Sequence, residues 1–98
     1  MQNELAYEQL KENVSLDVKR QALAVSRAKE KIQVAGLAIE QAEENQRTTG
    51  DKFRQGLATS TDLLDANVAL LQAKTNYSGA LVEHEVAVAR LKKALGSL

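Results

Sequence analysis

The chain has 98 residues, with no cysteine, no proline and three aromatic side chains, and its 13 basic and 13 acidic residues give a formal net charge of zero. These counts exclude a disulfide or a metal–thiolate site, and they leave no electrostatic footprint for nucleic acid or an anionic membrane surface. No apolar run reaches about 18 residues, which excludes direct membrane insertion of this segment as a helix, and the alanine-rich, charge-rich composition is typical of long helices.

The N-terminal half carries an apolar stripe with the spacing of a coiled coil. Its positions lie alternately three and four residues apart, and an average of about 3.5 keeps one face of a helix against a partner helix. Large and small side chains mostly alternate at these positions: Val18, Gln21, Val25, Ala28, Ile32, Ala35, Ile39, Ala42, Gln46, Thr49 and Phe53. We predict a first helix from about residue 3 to about residue 54, with Gly56 as its left-handed C-cap.

A turn over residues 55–59 is predicted to connect this helix to a second one, over about residues 60–95. Thr59 is a suitable N-cap, because Asp62 lies three residues later and can reach back in a capping box. The second helix repeats the stripe with alanine at every second position: Leu63, Ala66, Leu70, Ala73, Tyr77, Ala80, His84, Ala87, Leu91, Ala94 and Leu98. The two stripes together are called the seam below.

The two halves of the seam match when the chain is folded antiparallel about Gly56. In one register, large residues meet large ones and alanines meet alanines. The pairs are Phe53 with Leu63, Ile39 with Tyr77, Ile32 with His84, Val25 with Leu91, Val18 with Leu98, Ala42 with Ala73, Ala35 with Ala80, and Ala28 with Ala87. The sequence therefore predicts an all-α fold, a single long antiparallel αα-hairpin over residues 1–98 with coiled-coil-like packing.

Each predicted helix also carries apolar residues outside the seam. They are Leu16, Leu23, Val34 and Leu37 in the first helix and Leu64, Val68, Leu71, Leu81, Val82, Val88 and Leu95 in the second. A lone hairpin buries one stripe per helix, so these residues predict self-association, in a closed tube of helices or in a four-helix bundle. Residues 1–17 extend beyond the shorter second helix, and they leave four apolar side chains without a partner in the chain: Leu5, Leu10, Val14 and Leu16.

No set of residues predicts catalysis, a cofactor or a metal site. His84 is the only histidine, and residues adjacent on a helix diverge by about 100°, so His84 does not converge with Glu83 and Glu85 on a metal ion. We interpret His84 as a partly buried packing residue on the seam. Glu43 and Arg47 lie four residues apart and are predicted to form a surface ion pair. We therefore expect a protein that is not an enzyme.

A group of motifs surrounds the turn. Phe53 is followed three residues later by Gly56, then by the turn Leu57–Thr61, the run Asp62-Leu63-Leu64-Asp65-Ala66 and a helix that ends in Ala94-Leu95-Gly96. In this pattern the chain resembles the C-terminal helical hairpin of the TolC-like outer-membrane efflux proteins. The preceding helix, with the sequence IQVAGLAIEQAEENQRTTGDKF, is similar to the incoming helix of the same family, so the resemblance covers nearly the whole chain.

This resemblance implies that the chain is a part of a larger protein. Family members are trimeric ducts of the outer membrane, with a long α-helical tunnel through the periplasm that is built from hairpins of this kind. We expect an excised, soluble segment of the tunnel wall with an added Met1, whose own oligomer need not be the trimer of the parent. The alternative is a stand-alone antiparallel coiled coil that acts as a scaffold or adaptor, for which a polar outer face is expected.

The resemblance also implies a role for the turn. In the family, turns at the periplasmic end dock onto a periplasmic adaptor (membrane-fusion) protein, which links the tunnel to an inner-membrane pump. The matching positions of this chain are Gln55, Gly56, Leu57, Ala58 and Thr59. Leu57 is interpreted either as a contact anchor for the adaptor or as a residue that packs over the helix C-cap.

Asp62 and Asp65 match the carboxylates of the periplasmic entrance in the family. Symmetry would multiply them into rings that constrict the entrance and favour cations over anions. The alternative reading from the residues alone is that Asp62 completes the helix cap and Asp65 is a solvated acid of the first turn. Some relatives carry a basic residue in the turn that ties the closed entrance together, and that position is Ala58 here.

Overall fold

A computed structural model of the protein describes the backbone of residues 2–96 and the side chains of residues 6–96. It contains two helices, α1 (Gln2–Arg54) and α2 (Ser60–Gly96), joined by a short turn. The molecule measures 81 × 15 × 13 Å, which is the length of α1 and the width of two helices side by side. The predicted all-α hairpin is confirmed, and the described residues contain no strand.

The seam forms the contact between the two helices. On α2 every seam position from Leu63 to Ala94 is buried or half-buried, and so is every seam position on α1 from Val18 to Thr49. The buried residues of the described chain are almost all alanines: Ala28, Ala66, Leu70, Ala73, Ala80, Ala87 and Ala94. Alanine allows the partner backbone to come close enough to cover it, whereas larger seam residues other than Leu70 extend past a single partner helix and stay partly exposed.

The ends of the seam differ from the prediction. Phe53 is 42% exposed. Because α2 begins at Ser60 and its first seam residue is Leu63, α2 covers the ring of Phe53 only in part. The predicted pairing of Val18 with Leu98 lies outside the described residues. Val14 was expected to have no partner but is half-buried, since it continues the α1 stripe four residues before Val18.

Two cross-helix contacts give the antiparallel register. Gln46 Nε2 lies 2.6 Å from Asn67 Oδ1. Further from the turn, the ring of Tyr77 lies against Gly36, where an added Cβ atom would be 3.8 Å from Tyr77 Cε2. Ten residues back along α1, from Gln46 to Gly36, correspond to ten residues forward along α2, from Asn67 to Tyr77, as an unbroken antiparallel seam requires.

Most apolar residues outside the seam are exposed to solvent. The residues predicted there and found exposed are Leu16, Leu23, Val34, Leu37, Leu64, Val68, Leu71, Leu81, Val82 and Leu95. Val88 is half-buried instead, because it flanks the seam beside Ala87, and Val86 is a further exposed residue. In the N-terminal extension Leu10 is exposed, while the side chain of Leu5 lies outside the described part of the chain. No helix within residues 2–96 has the length and apolar content to cross a membrane.

Candidate docking and entrance residues at the hairpin tip

The turn begins with a glycine cap that closes α1. Gly56 has a φ of 78°, the left-handed conformation that glycine adopts at the lowest cost. Its N–H donates to the carbonyl oxygen of Phe53 at 3.1 Å, and the N–H of Leu57 donates to the carbonyl oxygen of Lys52 at 2.8 Å. These two bonds are the pair that defines a Schellman motif, so the predicted C-cap at Gly56 is confirmed.

A reciprocal capping box opens α2. The N–H of Thr59 donates to Asp62 Oδ2 at 2.9 Å, and the N–H of Asp62 donates to Thr59 Oγ1 at 3.1 Å. The backbone bond from the N–H of Leu63 to the carbonyl oxygen of Thr59, at 3.1 Å, follows as the first of the helix. Aspartate here takes the place of the usual glutamate or glutamine. Asp62 therefore caps the N-terminus of α2 together with Thr59.

The capping box also affects the charge of Asp62. The backbone N–H of Thr59 and, to a smaller extent, the Thr59 side chain form hydrogen bonds that hold the pKa of the Asp62 carboxyl below its ordinary value. Both bonds favour the ionised carboxylate. Asp65, one turn further along α2, is exposed and forms no hydrogen bond or ion pair with the described residues. The two carboxylates thus lie close in sequence, but among the described residues only that of Asp62 accepts a hydrogen bond.

Leu57 is presented to solvent by this turn. Its side chain is 74% exposed, and in the Schellman motif it stands opposite Lys52 rather than an apolar residue of α1. The usual hydrophobic contact across such a cap is therefore missing. Of the other tip residues, Gln55, Gly56 and Thr59 are exposed and Ala58 is half-buried. The interpretation of Leu57 as a residue that packs over the cap receives no support.

A shallow cavity of about 500 Å³ lies on one flank of the hairpin beside the tip. It brings together four of the predicted site residues: Leu57, Ala58, Asp62 and Asp65. The remaining lining residues come from both helices: Asn45, Thr49, Lys52, Ala66 and Ala69. Gln55, Gly56 and Thr59 do not line this cavity, so the seven predicted residues divide between the apex of the turn and one flank.

An ion-pair network on α1 precedes the turn, and it differs from the prediction. Arg47 pairs with Glu44 instead of Glu43, and its Nη1 also lies 3.8 Å from Asp51 Oδ2. Arg54 forms a further ion pair with the same Asp51. The hydrogen bond from Arg47 and its positive charge lower the pKa of Glu44. Spacings of three and four residues both bring side chains together on a helix, and Arg47 uses the first with Glu44 and the second with Asp51.

Two polar contacts across the helices were missed by sequence reasoning. One is the hydrogen bond between Gln46 and Asn67; the other is the ion pair between Lys31 Nζ and Glu83 Oε2 at 3.2 Å. Both follow from the seam register. Gln46 lies on the seam next to Asn67, and Lys31 and Glu83 flank the seam on antiparallel helices and face each other. Listing the flanking residues of the predicted register would have placed Lys31 near Glu83.

His84 is half-buried on the seam, as predicted. Within the part of the chain that the structure describes, no three histidine or carboxylate side chains are placed to hold a metal ion together. The predicted site residues therefore lie on the turn and on its acidic flank.

Comparison with known proteins gives one match. The family model described as outer membrane efflux protein matches residues 1–97. No curated protein and no solved structure matches the chain.

Proposed function

The chain belongs to the outer membrane efflux protein family, and from this membership we propose that it forms part of the periplasmic tunnel wall of a trimeric efflux or secretion duct. Members of the family are channel proteins, and the chain is part of such a channel. The proposal adds its place there. The hairpin stands lengthwise in the wall, its turn lies at the periplasmic end, and each helix has neighbours on two sides.

The observation that carries the proposal is the position of exposed apolar residues relative to the seam. On α1, exposed leucines repeat at multiples of seven, and each lies two positions before a large seam residue. On α2, Val68 and Val82 likewise lie two positions before a large seam residue. Leu64 and Leu71 each lie one position after one. We call this set the outer stripe: Leu16, Leu23 and Leu37 of α1, and Leu64, Val68, Leu71 and Val82 of α2. At about 100° per residue, its centre lies roughly 150–170° around each helix from the centre of the seam.

This angle favours a wall over a small bundle. In a four-helix bundle each helix contacts its neighbours on faces roughly 90° apart, whereas in a wide ring of helices the two contact faces are nearly opposite. A seam and an outer stripe on nearly opposite faces fit the ring. The alternative, a stand-alone coiled-coil scaffold, predicts a polar outer face, and seven exposed apolar residues there argue against it.

We place the adaptor contact at the apex of the turn. A large apolar side chain that is mostly exposed gains free energy when a partner covers it, and Leu57 has no folding role that would explain its position. The two backbone caps on either side hold the turn in one conformation, so little entropy is lost when a partner binds. Gln55, Gly56, Ala58 and Thr59 supply the backbone around this anchor.

The entrance carboxylates form the remaining part of the proposal. Asp62 and Asp65 share the flank beside the tip, so symmetric copies of the hairpin with this flank turned inward would surround the entrance with acids. Such a ring favours cations over anions. Asp62 already serves the helix cap, whereas Asp65 has no partner among the described residues. Asp65 is therefore the carboxylate that the entrance role requires most directly.

Cysteine cross-linking tests the wall, because the chain has no cysteine of its own. The variant Leu37→Cys/Val82→Cys places one thiol in each half of the outer stripe, on the two outer edges of the hairpin. With a short bismaleimide we expect a ladder of covalent dimers, trimers and larger species, since α1 of one chain lies beside α2 of the next. The control Gln41→Cys/Gln72→Cys places both thiols on one flank, outside the outer stripe. A ladder from this control alone would overturn the proposal.

A further inference from the structure

A groove lies between the helices on the same flank as the tip acids but far from the turn. Its volume is about 430 Å³, which is within the range of roughly 300–1,000 Å³ found for small-molecule sites. Its floor is formed by alanines of both helices, Ala24, Ala28 and Ala87, and the exposed side chains of Val82 and Val86 lie at its edge. Its rim is polar and carries most of the charge: Gln21, Arg27, Lys31, Glu83 and Arg90.

The rim has an uncompensated positive charge. Lys31 Nζ lies 3.2 Å from Glu83 Oε2, so this pair spans the groove and its charges cancel. Arg27 on α1 and Arg90 on α2 have no carboxylate within ion-pair distance among the described residues. Each helix thus contributes one guanidinium that no described carboxylate pairs with, and both line the same cavity above an apolar floor.

We propose that this groove binds a small amphiphilic anion, with a carboxylate, sulfonate or phosphate group on a compact hydrocarbon body. A guanidinium presents a planar fork of N–H donors that matches the oxygens of such groups. The alanine floor and the two valines at its edge accept the hydrocarbon body, as in most ligand sites, where apolar lining surrounds a few polar groups. The site goes beyond the proposed wall function and requires only the hairpin itself.

A large polyanion fits this flank poorly. The net charge of the chain is zero, and the same flank carries Asp62 and Asp65 towards the tip, so an extended nucleic acid would meet carboxylates of its own sign. In the proposed wall, the flank lies between the two helix-contact faces, and Val82 is the one groove residue that also belongs to the outer stripe. A ligand of limited length is therefore the occupant that fits both the charge and the shape of the groove.

The test uses two fluorescent probes of similar shape and different charge. 1-Anilinonaphthalene-8-sulfonate carries a sulfonate, and N-phenyl-1-naphthylamine is the uncharged counterpart. The variant Arg27→Gln/Arg90→Gln removes both guanidinium groups. The control Lys29→Gln/Lys92→Gln removes the same charge two residues further along each helix, about 200° around the axis on another face. Titrations are performed on the full 98-residue chain at one protein concentration.

We expect the Kd for the sulfonate probe to rise about tenfold in the arginine variant, as the loss of charge-assisted hydrogen bonds predicts. It should stay within about twofold of the original value in the lysine variant, since only overall charge changes there. The uncharged probe should bind all three proteins equally. An equal loss in both variants, or no loss in either, overturns the proposal.

Two further measurements keep the result interpretable. Circular dichroism checks that the arginine variant remains helical; if it does not, Arg90→Lys keeps the charge and removes only the fork, and weaker sulfonate binding is again expected. Unchanged sulfonate binding in the folded Arg90→Lys protein would overturn the role of the fork. Light scattering separates this proposal from the wall arrangement. Neither arginine belongs to the outer stripe, so the arginine variant should have the same solution mass as the original chain.

Discussion

Gln46 and Asn67 connect the two helices through a hydrogen bond of 2.6 Å between Gln46 Nε2 and Asn67 Oδ1. Gln46 is one of the few polar residues on the seam, and Asn67 flanks the seam on α2. A shift of seven residues would still pair large seam residues with large ones, so apolar packing alone separates neighbouring registers poorly. In the shifted registers Gln46 would meet Lys74 or Ser60 in place of Asn67. The hydrogen bond is therefore specific to one register.

A double-mutant cycle measures this bond. We expect Gln46→Ala and Asn67→Ala to be coupled by about 0.5–1 kcal/mol, the usual net contribution of a neutral hydrogen bond. The free energy of unfolding is measured by urea titration at a fixed protein concentration, because self-association makes stability depend on concentration. A second cycle, with Lys74→Ala in place of Asn67→Ala, is the control and should show no coupling. Equal coupling in the two cycles would mean that the pairing is not specific.

The glycine cap is tested by a pair of substitutions with opposite expected signs. Gly56→Ala should lower the free energy of unfolding by about 1 kcal/mol, because alanine is disfavoured at a φ of 78° in the left-handed region. Gly50→Ala, inside α1, should raise it by about 1 kcal/mol through helix propensity. Neither added methyl group meets an atom within 4 Å, so crowding does not explain a difference. Two changes of equal sign in urea unfolding would contradict the cap.

The backbone of this molecule was predictable because its signals are periodic and local. The three–four spacing from Val18 to Thr49 depends only on helix geometry, and the caps at Gly56 and Thr59 depend on contacts within a few residues. Neither requires knowledge of distant parts of the chain. The hairpin, its seam and both caps therefore followed from the sequence.

Side-chain partners were less predictable, for two physical reasons. Arg47 has carboxylates at several spacings on its own helix, and exposed pairs differ by only a few tenths of a kcal/mol, so the selection of Glu44 over Glu43 rests on rotamers. Phe53 depends instead on how much of α2 covers it near the turn. The roles of Leu57 and Asp65 require a partner that the chain does not contain, so they stay predictions.

The pH dependence of the tip should report on Asp62. Its pKa is lowered from an ordinary value of 3.8 by the hydrogen bonds from Thr59, so the ionised carboxylate binds fewer protons when folded than when unfolded. The stabilisation is present above the unfolded-state pKa and is lost as the pH falls through the lower folded value. The stability difference between the original chain and Asp62→Ala should shrink over this acidic range in thermal unfolding followed by circular dichroism.

A direct titration complements that measurement. The carboxyl carbon of Asp62, followed by NMR between about pH 2 and pH 7, should have a midpoint below 3.8, and Thr59→Ala should raise the midpoint by removing the side-chain partner. A midpoint at or above the ordinary value in the original chain would show that the capping box does not hold the carboxylate.

The outer stripe is tested by adding charge to it. Leu37→Glu/Val68→Glu places one carboxylate on each helix where a neighbour is proposed to pack, and the cost of burying an unpaired charge should shift the protein towards the monomer. Gln41→Glu/Gln72→Glu adds the same charge on a flank outside the outer stripe and should leave the mass unchanged. The two masses are compared by light scattering at equal concentration. If both variants were monomeric, net charge rather than the outer stripe would explain the loss of the oligomer.

Leu57 is expected to affect recognition without affecting folding. Because its side chain is 74% exposed, Leu57→Ser should change the free energy of unfolding by less than about 0.5 kcal/mol. Binding of the isolated helical hairpin of a periplasmic membrane-fusion protein, measured by calorimetry, should weaken about tenfold if a buried leucine anchor is lost. Val34→Ser is the control, since Val34 is 67% exposed and lies far from the tip. Equal weakening by both variants would remove Leu57 as the anchor.

The solution mass of the unchanged chain, measured by light scattering over a concentration series with circular dichroism on the same samples, tests most directly whether the outer stripe takes neighbouring helices. The wall arrangement predicts a highly helical oligomer whose mass and helicity decrease together on dilution. A fully helical monomer that persists at micromolar concentration would contradict it, because the outer stripe would then need no neighbour.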